Sequence, residues 1–324
     1  MLYLVTGATG LVGNNVVRLL LARGDRVRVL ARATSDRRPL AGLDVELAQG
    51  DVRDAAAVDA AARGVERIVH AAAYVHIGWT QLEQSRAINV AGTANVAASA
   101  RRAGARLVHV SSVDAMGLPP GGAPSDEDTP VEGGVLCPYV VTKREAEQAV
   151  QAEIAQGLDA TIVNPAYMIG PWDWKPSSGR MLLEVARNRG VVAPLGTNNY
   201  CDVRDVAQGI LTAAERGATG RRYILGGERL SYFQAWRVFA RVTHALPPLL
   251  PAGPLVRIAA GRCGDLWTRL TGRELDVNSA ATAIAAQRRN FVSTRAEREL
   301  DYRPRGLAEA AEAAWQWFRE HKYV

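Results

Sequence analysis

The stretch Leu2-Tyr3-Leu4-Val5-Thr6-Gly7-Ala8-Thr9-Gly10-Leu11-Val12-Gly13 decides the fold. Leu2–Thr6 is a short apolar run and reads as a buried strand, while Leu11–Ala22 places its apolar residues at helical spacing. Between them, Gly7, Gly10 and Gly13 let the backbone turn tightly and come close to a pyrophosphate at the helix N-terminus. Thr9, Leu11 and Val12 belong to the same turn. A glycine-rich turn without a ligand has the same local look. Its place between a strand and a helix is what points to a bound dinucleotide.

Working outward, the same rhythm continues. Arg26–Ala31, Val45–Ala48, Arg67–His70, Leu107–Val110 and Thr161–Asn164 read as strands. Ala55–Ala62, Leu82–Ala103 and Tyr139–Gln156 read as the helices between them. Alternation at this spacing predicts an α/β fold of Rossmann type, a doubly wound parallel sheet with helices on both faces. Ligands in such sheets lie at the carboxyl ends of the strands, so the residues just after each strand carry the function. After Asn164 the pattern breaks at Pro165, Pro171, Pro176 and Pro194. Asp202–Ala214 and Arg222–Leu225 read as a return to the sheet edge. The expected organisation is a dinucleotide-binding domain over 1–165, with 202–226 returning to it. A smaller, mostly helical substrate lobe takes 166–201 and 227–310, and 311–324 form the end of a C-terminal helix.

Composition narrows the function classes. The 324 residues are 48% hydrophobic and 22% charged, ordinary for a globular chain and unlike a disordered or fibrous one. The net charge of +6 invites a nucleic-acid reading, but the arginines are dispersed among acids without a block of like charge. Of 39 basic residues only Lys143, Lys175 and Lys322 are lysine, so a lysine at a meaningful spacing is informative. Cys137, Cys201 and Cys263 are odd in number, far apart and without metal-ligand spacing, which argues for a reducing compartment and against a metal site. The start lacks a basic leader-like region, and Leu246–Ala260 holds four prolines and Arg257, a poor membrane span. The expectation is a cytoplasmic protein with no nucleic-acid partner and no membrane span.

The strand ends supply the chemistry. The residue after the second strand chooses between cofactors: an acid binds the ribose hydroxyls of NAD, whereas arginine accommodates the 2′-phosphate of NADP. Arg32 stands there, in Ala31-Arg32-Ala33, and favours NADP over NAD; an arginine that only stacks on adenine permits either. Asp51 and Val52 follow the third strand, where an acid contacts adenine or simply closes a turn. Ser111 and Ser112 end the fifth strand. Tyr139 and Lys143, four apart, share one helix face. A lysine ammonium in that position lowers the phenol's pKa, and the tyrosine then exchanges a proton with a carbonyl or alcohol that the serine hydroxyl holds.

This constellation resembles the extended short-chain dehydrogenase/reductase family, the epimerase/dehydratase group, over essentially the whole chain. The resemblance implies Tyr139 as general acid/base, Lys143 as its helper and Ser112 as the hydrogen-bond partner, since the family's catalytic hydroxyl lies five residues before the glycine matched by Gly117. His70-Ala71-Ala72-Ala73 resembles the family's cofactor-contacting turn. Asn89-Val90-Ala91-Gly92-Thr93 resembles its helix signature, with Asn89 supporting the active site. Asn164-Pro165-Ala166-Tyr167 resembles the loop that runs from the sixth strand towards cofactor and substrate. Asp202-Val203-Arg204-Asp205 and the ending Leu300-Asp301-Tyr302 are similar to the dihydroflavonol-reductase-like branch, which implies an oxidoreductase acting on a carbonyl or hydroxyl of a small organic molecule. A nucleotide-sugar epimerase uses the same three residues, as hopanoid-associated sugar epimerase-like proteins illustrate. Asn198 and Asn199 stand where such epimerases often place a diphosphate-clamping arginine, although Arg180, Arg187 or Arg204 could substitute. A non-catalytic dinucleotide sensor has no use for Ser112, Tyr139 and Lys143 together. Asp114 lies where 4,6-dehydratases place an acid, but Val113 replaces the second acid they carry. His76, Trp79, Asp114, Met116, Trp172 and Arg180 are the candidate substrate-side residues. Members of this family often pair through exposed helices, so the resemblance admits a homodimer.

Overall fold

A computed structural model describes all 324 residues. Six strands come first: β1 (Leu2–Thr6), β2 (Arg26–Ala31), β3 (Glu46–Gln49), β4 (Arg67–His70), β5 (Arg106–Val110) and β6 (Ala160–Pro165). Six more follow: β7 (Tyr167–Ile169), β8 (Val192–Ala193), β9 (Thr197–Asp202), β10 (Arg222–Leu225), β11 (Glu228–Ser231) and β12 (Leu250–Pro251). The central sheet has seven strands in the order β10-β6-β5-β4-β1-β2-β3, and every pairing in it is parallel. The strand order reverses between β1 and β4, so a crevice opens at their carboxyl ends.

Helices cover both faces. They are α1 (Leu11–Ala22), α2 (Ala55–Ala62), α3 (Leu82–Ser85), α4 (Gly92–Ala103), α5 (Pro138–Ile154), α6 (Arg180–Ala186) and α7 (Val203–Arg216). Farther along come α8 (Tyr232–Thr243), α9 (Pro254–Thr271), α10 (Ser279–Ile284), α11 (Thr294–Glu299) and α12 (Leu307–Glu320). The period of two along β1 separates the layers. Tyr3 and Val5 join the core against α1 and α7, while Leu4 joins the one against α2, α4 and α5. Burial on both faces explains why these strands are apolar without alternation.

Two features depart from the sequence reading. The helix expected over Leu82–Ala103 is interrupted by a π-helical segment, Arg86–Ala91, which carries Asn89. Such insertions re-aim side chains and cluster at functional sites. The part of the chain expected to be mostly helical also contains a three-stranded sheet, β11-β9-β7. The last helix runs from Leu307 to Glu320, and its Leu307, Ala310, Ala314, Trp317 and Phe318 pack into one core with α6 and α8.

Candidate active site

The glycine turn is shaped by contacts that no other residue type tolerates. Gly7 has φ +74°, and a Cβ there would sit 2.6 Å from the Ala71 carbonyl carbon and the Ala72 nitrogen. A Cβ on Gly13 would lie 2.3 Å from the Gly7 oxygen. The turn after β1 therefore lies flat against the Ala71–Ala73 segment after β4, across the crevice. Thr6 ties the two together: its Oγ1 accepts from the Ala72 N–H (3.3 Å) and bonds His70 Nδ1 (2.7 Å). Burial drives His70 down to about 3, so it is a neutral structural link at working pH. At the start of α1, Gly10 is exposed and no side chain caps the first-turn N–H groups. An uncapped helix start, free of side chains and open at the switch point, fits a dinucleotide pyrophosphate.

The adenosine end of the crevice is basic. Arg32 is exposed at the end of β2, with Thr9, Leu11 and Val12 part-exposed across the turn. Arg37, whose Nη2 donates to the Arg32 carbonyl (3.2 Å), keeps a buried Nη1 without a partner. Arg38 is spent on Asp36. Asp51 accepts from Arg53, whose hydrogen bond holds its carboxyl below the usual range. Val52 is buried beside Gly92, and its carbonyl accepts from Asn95.

At the other end, α5 brings Tyr139 and Lys143 under the carboxyl end of β5. Pro138 at its first turn suits the fixed φ of a helix start. Lys143 is buried and its Nζ donates to the Val110 carbonyl (3.0 Å); burial lowers it to about 8, against the pull of Glu147 and Asp114. Tyr139 is 8% exposed. Its phenol is pushed up by burial and by the Asp114 carboxylate, while the Ser112 hydroxyl and Arg289 oppose the rise. The sequence reading had Lys143 lowering this phenol. Desolvation dominates instead, because the ring is enclosed and the ammonium points to β5. Ser112 Oγ donates to Asp114 Oδ2 and accepts from the Asp114 N–H, both at 3.1 Å.

Asn89 acts at one remove. Its amide grips the Tyr74 backbone on both sides (2.7 and 3.0 Å) and donates to Thr142 Oγ1 (3.1 Å), between Tyr139 and Lys143. Ser111 turns away from the crevice: its hydroxyl donates to Glu147 Oε1 at 2.5 Å. Asn164 donates to that same oxygen (2.6 Å) and to the Ser112 carbonyl (2.9 Å). Pro165 ends β6 and is buried. Tyr167 spends its hydroxyl on the Ser178 carbonyl (2.8 Å), leaving only its backbone for a ligand.

The substrate-side candidates divide. Asp114 and Met116 line a narrow cleft whose apolar side is Val113, Leu118, Val140 and Phe291 and whose polar side is Arg144, Gln287 and Arg289. His76 is not free, since its Nε2 meets Glu274 at 2.7 Å, and the same carboxylate holds the Trp79 N–H. The Trp79 indole donates to Ser279. Trp172 stacks on the Arg18 guanidinium, 3.3 Å from the ring centre, and packs with Trp174 and Trp317. Of the three arginines offered as diphosphate clamps, Arg180 and Arg187 make exposed surface pairs with Asp276 and Glu184, and Arg204 is held by the buried Asp202.

Two residues escaped the sequence reading. Arg289, 6% exposed, binds the Asp114 carboxylate from 175 positions away. Burial alone would lower its guanidinium, but Asp114, Tyr232 and Tyr139 hold it above its ordinary value. No local signal marks it. Glu147 was findable, being four residues after Lys143 on the same helix.

Comparison with known proteins agrees with this geometry. The profile described as the NAD dependent epimerase/dehydratase family matches residues 3–226. A Methylococcus capsulatus protein named sterol demethylase protein B is 39% identical over 99% of both chains. A Synechocystis protein provisionally named a dihydroflavonol 4-reductase is 35% identical over 99% of this chain and 96% of its own. The crystal structure of gox2253 superposes with a TM-score of 0.86 and 36% identity, over 99% of this chain and 98% of that one. Family profile, full-length relatives and fold agree: this chain belongs to the NAD dependent epimerase/dehydratase family.

Proposed function

We infer that the protein is an NAD(P)-dependent oxidoreductase, a carbonyl reductase or alcohol dehydrogenase that prefers NADP and acts on a small, largely apolar substrate. The observation that carries this is the enclosed Ser112, Tyr139 and Lys143 cluster beside a narrow cleft with an apolar side. A nicotinamide bound in the crevice supplies or accepts the hydride. Tyr139 gives its proton to the substrate oxygen as that oxygen gains charge, or takes it back in the reverse direction. Ser112, released from Asp114, holds the same oxygen. Lys143, anchored on Val110, keeps a positive charge beneath the tyrosine up to about pH 8. Asn89 fixes the register of α5 against the strand β4 loop. The division into a dinucleotide domain over 1–165 with 202–226, and a substrate lobe over 166–201 and 227–310, follows the same reading.

The NADP preference rests on Arg32 and on the unpartnered Nη1 of Arg37 at the end of β2. The substrate class rests on the sterol named in the 39% identical relative, with the apolar side of the cleft as support. A nucleotide-sugar epimerase is disfavoured because Asn198 and Asn199 stand where a clamping arginine is expected and Arg204 is held by the buried Asp202.

The test is NADPH oxidation with a panel of apolar ketones and aldehydes. Tyr139→Phe abolishes turnover, on the order of 10²–10⁴-fold for a lost proton donor, and leaves cofactor affinity intact. Full activity in that variant refutes the assignment. Arg32→Ala weakens NADP binding at least tenfold more than NAD binding, about 1.4 kcal/mol of difference; equal losses refute the NADP preference.

A further inference from the structure

Helix α9 presents a face that the rest of the chain leaves uncovered. Only Gly261 and Gly264 of its 18 residues are buried. Both touch the segment that begins α10: a Cβ on Gly261 would lie 2.9 Å from Ser279 Cα, and one on Gly264 would lie 1.9 Å from the Val277 oxygen. The helix is thus seated on the protein along a glycine edge. Opposite that edge, Leu255, Ala259, Cys263, Leu266 and Leu270 follow one another at spacings of three or four, all exposed, with Val256 and Trp267 beside them. Leu255 is 83% and Leu270 76% exposed. The preceding connection adds Leu246, Leu249 and Leu250, each more than 60% exposed. A continuous apolar surface of this kind on a soluble chain marks an interaction site.

Charge decides what covers it. From Arg229 to Gly264 there are five arginines and no acid. Arg262 and Arg269 rim the apolar stripe on one side, and Arg273 follows the helix. The nearby acids are turned inward or neutralised: Asp265 accepts from the Ser279 N–H, Glu274 serves His76 and Trp79, and Asp276 pairs with Arg180. A second copy meeting this face across a two-fold axis would set arginine rims against each other. An anionic lipid surface complements both parts, the leucine and tryptophan stripe entering the acyl boundary and the arginines meeting the headgroups. The helix does not span: no helix of the chain is long and apolar enough to cross a membrane.

We propose that α9, with the Leu246–Leu250 connection, docks this protein on anionic membrane surfaces. Through its glycine edge, opposite the docking face, α9 rests on α10, whose Ala280 and Ile284 belong to one cluster with Tyr139 and Val140. The docking itself rests on the helix and not on the oxidoreductase reading, and its test uses no turnover.

The full chain is floated with vesicles of equal parts phosphatidylcholine and phosphatidylglycerol, and with phosphatidylcholine alone. The anionic vesicles carry about tenfold more protein, and the excess falls as salt rises. Leu266→Asp with Leu270→Asp removes the binding at least tenfold, and Arg262→Glu with Arg269→Glu removes the preference for anionic lipid. Dinucleotide binding by each variant, read by fluorescence, verifies that the remainder of the fold is intact. Equal flotation of wild type and folded variants overturns the proposal. So does a wild type that ignores vesicles but is a dimer split by Leu270→Asp, since a second copy then covers the face.

Discussion

Replacing Arg289 by methionine tests a buried ion pair that no local pattern announces. The guanidinium is 6% exposed, and the Asp114 side chain it binds is 16% exposed. At about 3 Å and an effective dielectric of about 20, their attraction is on the order of 5 kcal/mol, most of it offset by desolvating both ions. Removing one partner strands the other, which costs about 3–5 kcal/mol for a buried pair. Asp114 keeps the Ser112 hydroxyl as a donor, so Arg289→Met is expected near about 3 kcal/mol. Asp114→Asn leaves a stranded cation with Gln287 still accepting from it, an expected cost of about 2 kcal/mol. The double variant leaves no buried charge and is expected to cost about 1–2 kcal/mol, so the coupling is about 3–4 kcal/mol. Urea unfolding followed by circular dichroism on all four proteins measures it. Singles that add to the double within about 0.5 kcal/mol would refute the claim that the pair is one electrostatic unit. The same variant removes a cation from beside Tyr139, so a phenol-controlled limb of the pH–rate profile moves to higher pH.

Asp173 is 2% exposed and burial raises it to about 6, against the hydrogen bond from the Gly179 N–H. A carboxyl raised on folding contributes stability below its unfolded pKa and loses it as pH climbs through the folded value. Wild type therefore loses about 3 kcal/mol between about pH 4 and 7 that Asp173→Asn does not lose; parallel stability–pH curves for the two proteins would contradict this. In the glycine turn, Gly13→Ala drives a methyl into the Gly7 carbonyl, and a cost of about 1–3 kcal/mol in thermal unfolding is expected with loss of dinucleotide binding. Gly10→Ala, whose Cβ would sit 3.4 Å from that same oxygen, is expected to spare stability and weaken only the dinucleotide. The two glycines behaving alike in both assays would remove the distinction.

The parallel sheet was legible because its signals are local. β1, β2, β4, α1 and α2 coincide with their apolar runs and periods, and the glycine turn lies where those periods change. Tyr139 and Lys143 were legible for the same reason, since one helical turn relates them and lysine is scarce. β9, reading Thr-Asn-Asn-Tyr-Cys-Asp, has no strand pattern of its own. It exists because β7 and β11 pair with it and Asn199 bonds the Phe291 backbone, 92 residues away. The π turn at Asn89 and the seat of Trp172 on Arg18 were likewise invisible, being set by what approaches from elsewhere.

The division follows from the range of the forces. Backbone geometry, hydrophobic period and residue scarcity act within a few positions, so the sequence by itself determined the Rossmann-type sheet and its glycine turn and drew attention to Tyr139 and Lys143, while the family resemblance singled out Ser112. Which groups those residues face depends on pairings between segments 50 to 200 positions apart. Only the tertiary structure decided that Arg289 answers Asp114, that Ser111 serves Glu147, that burial raises the Tyr139 phenol, and that an apolar face of α9 is left open.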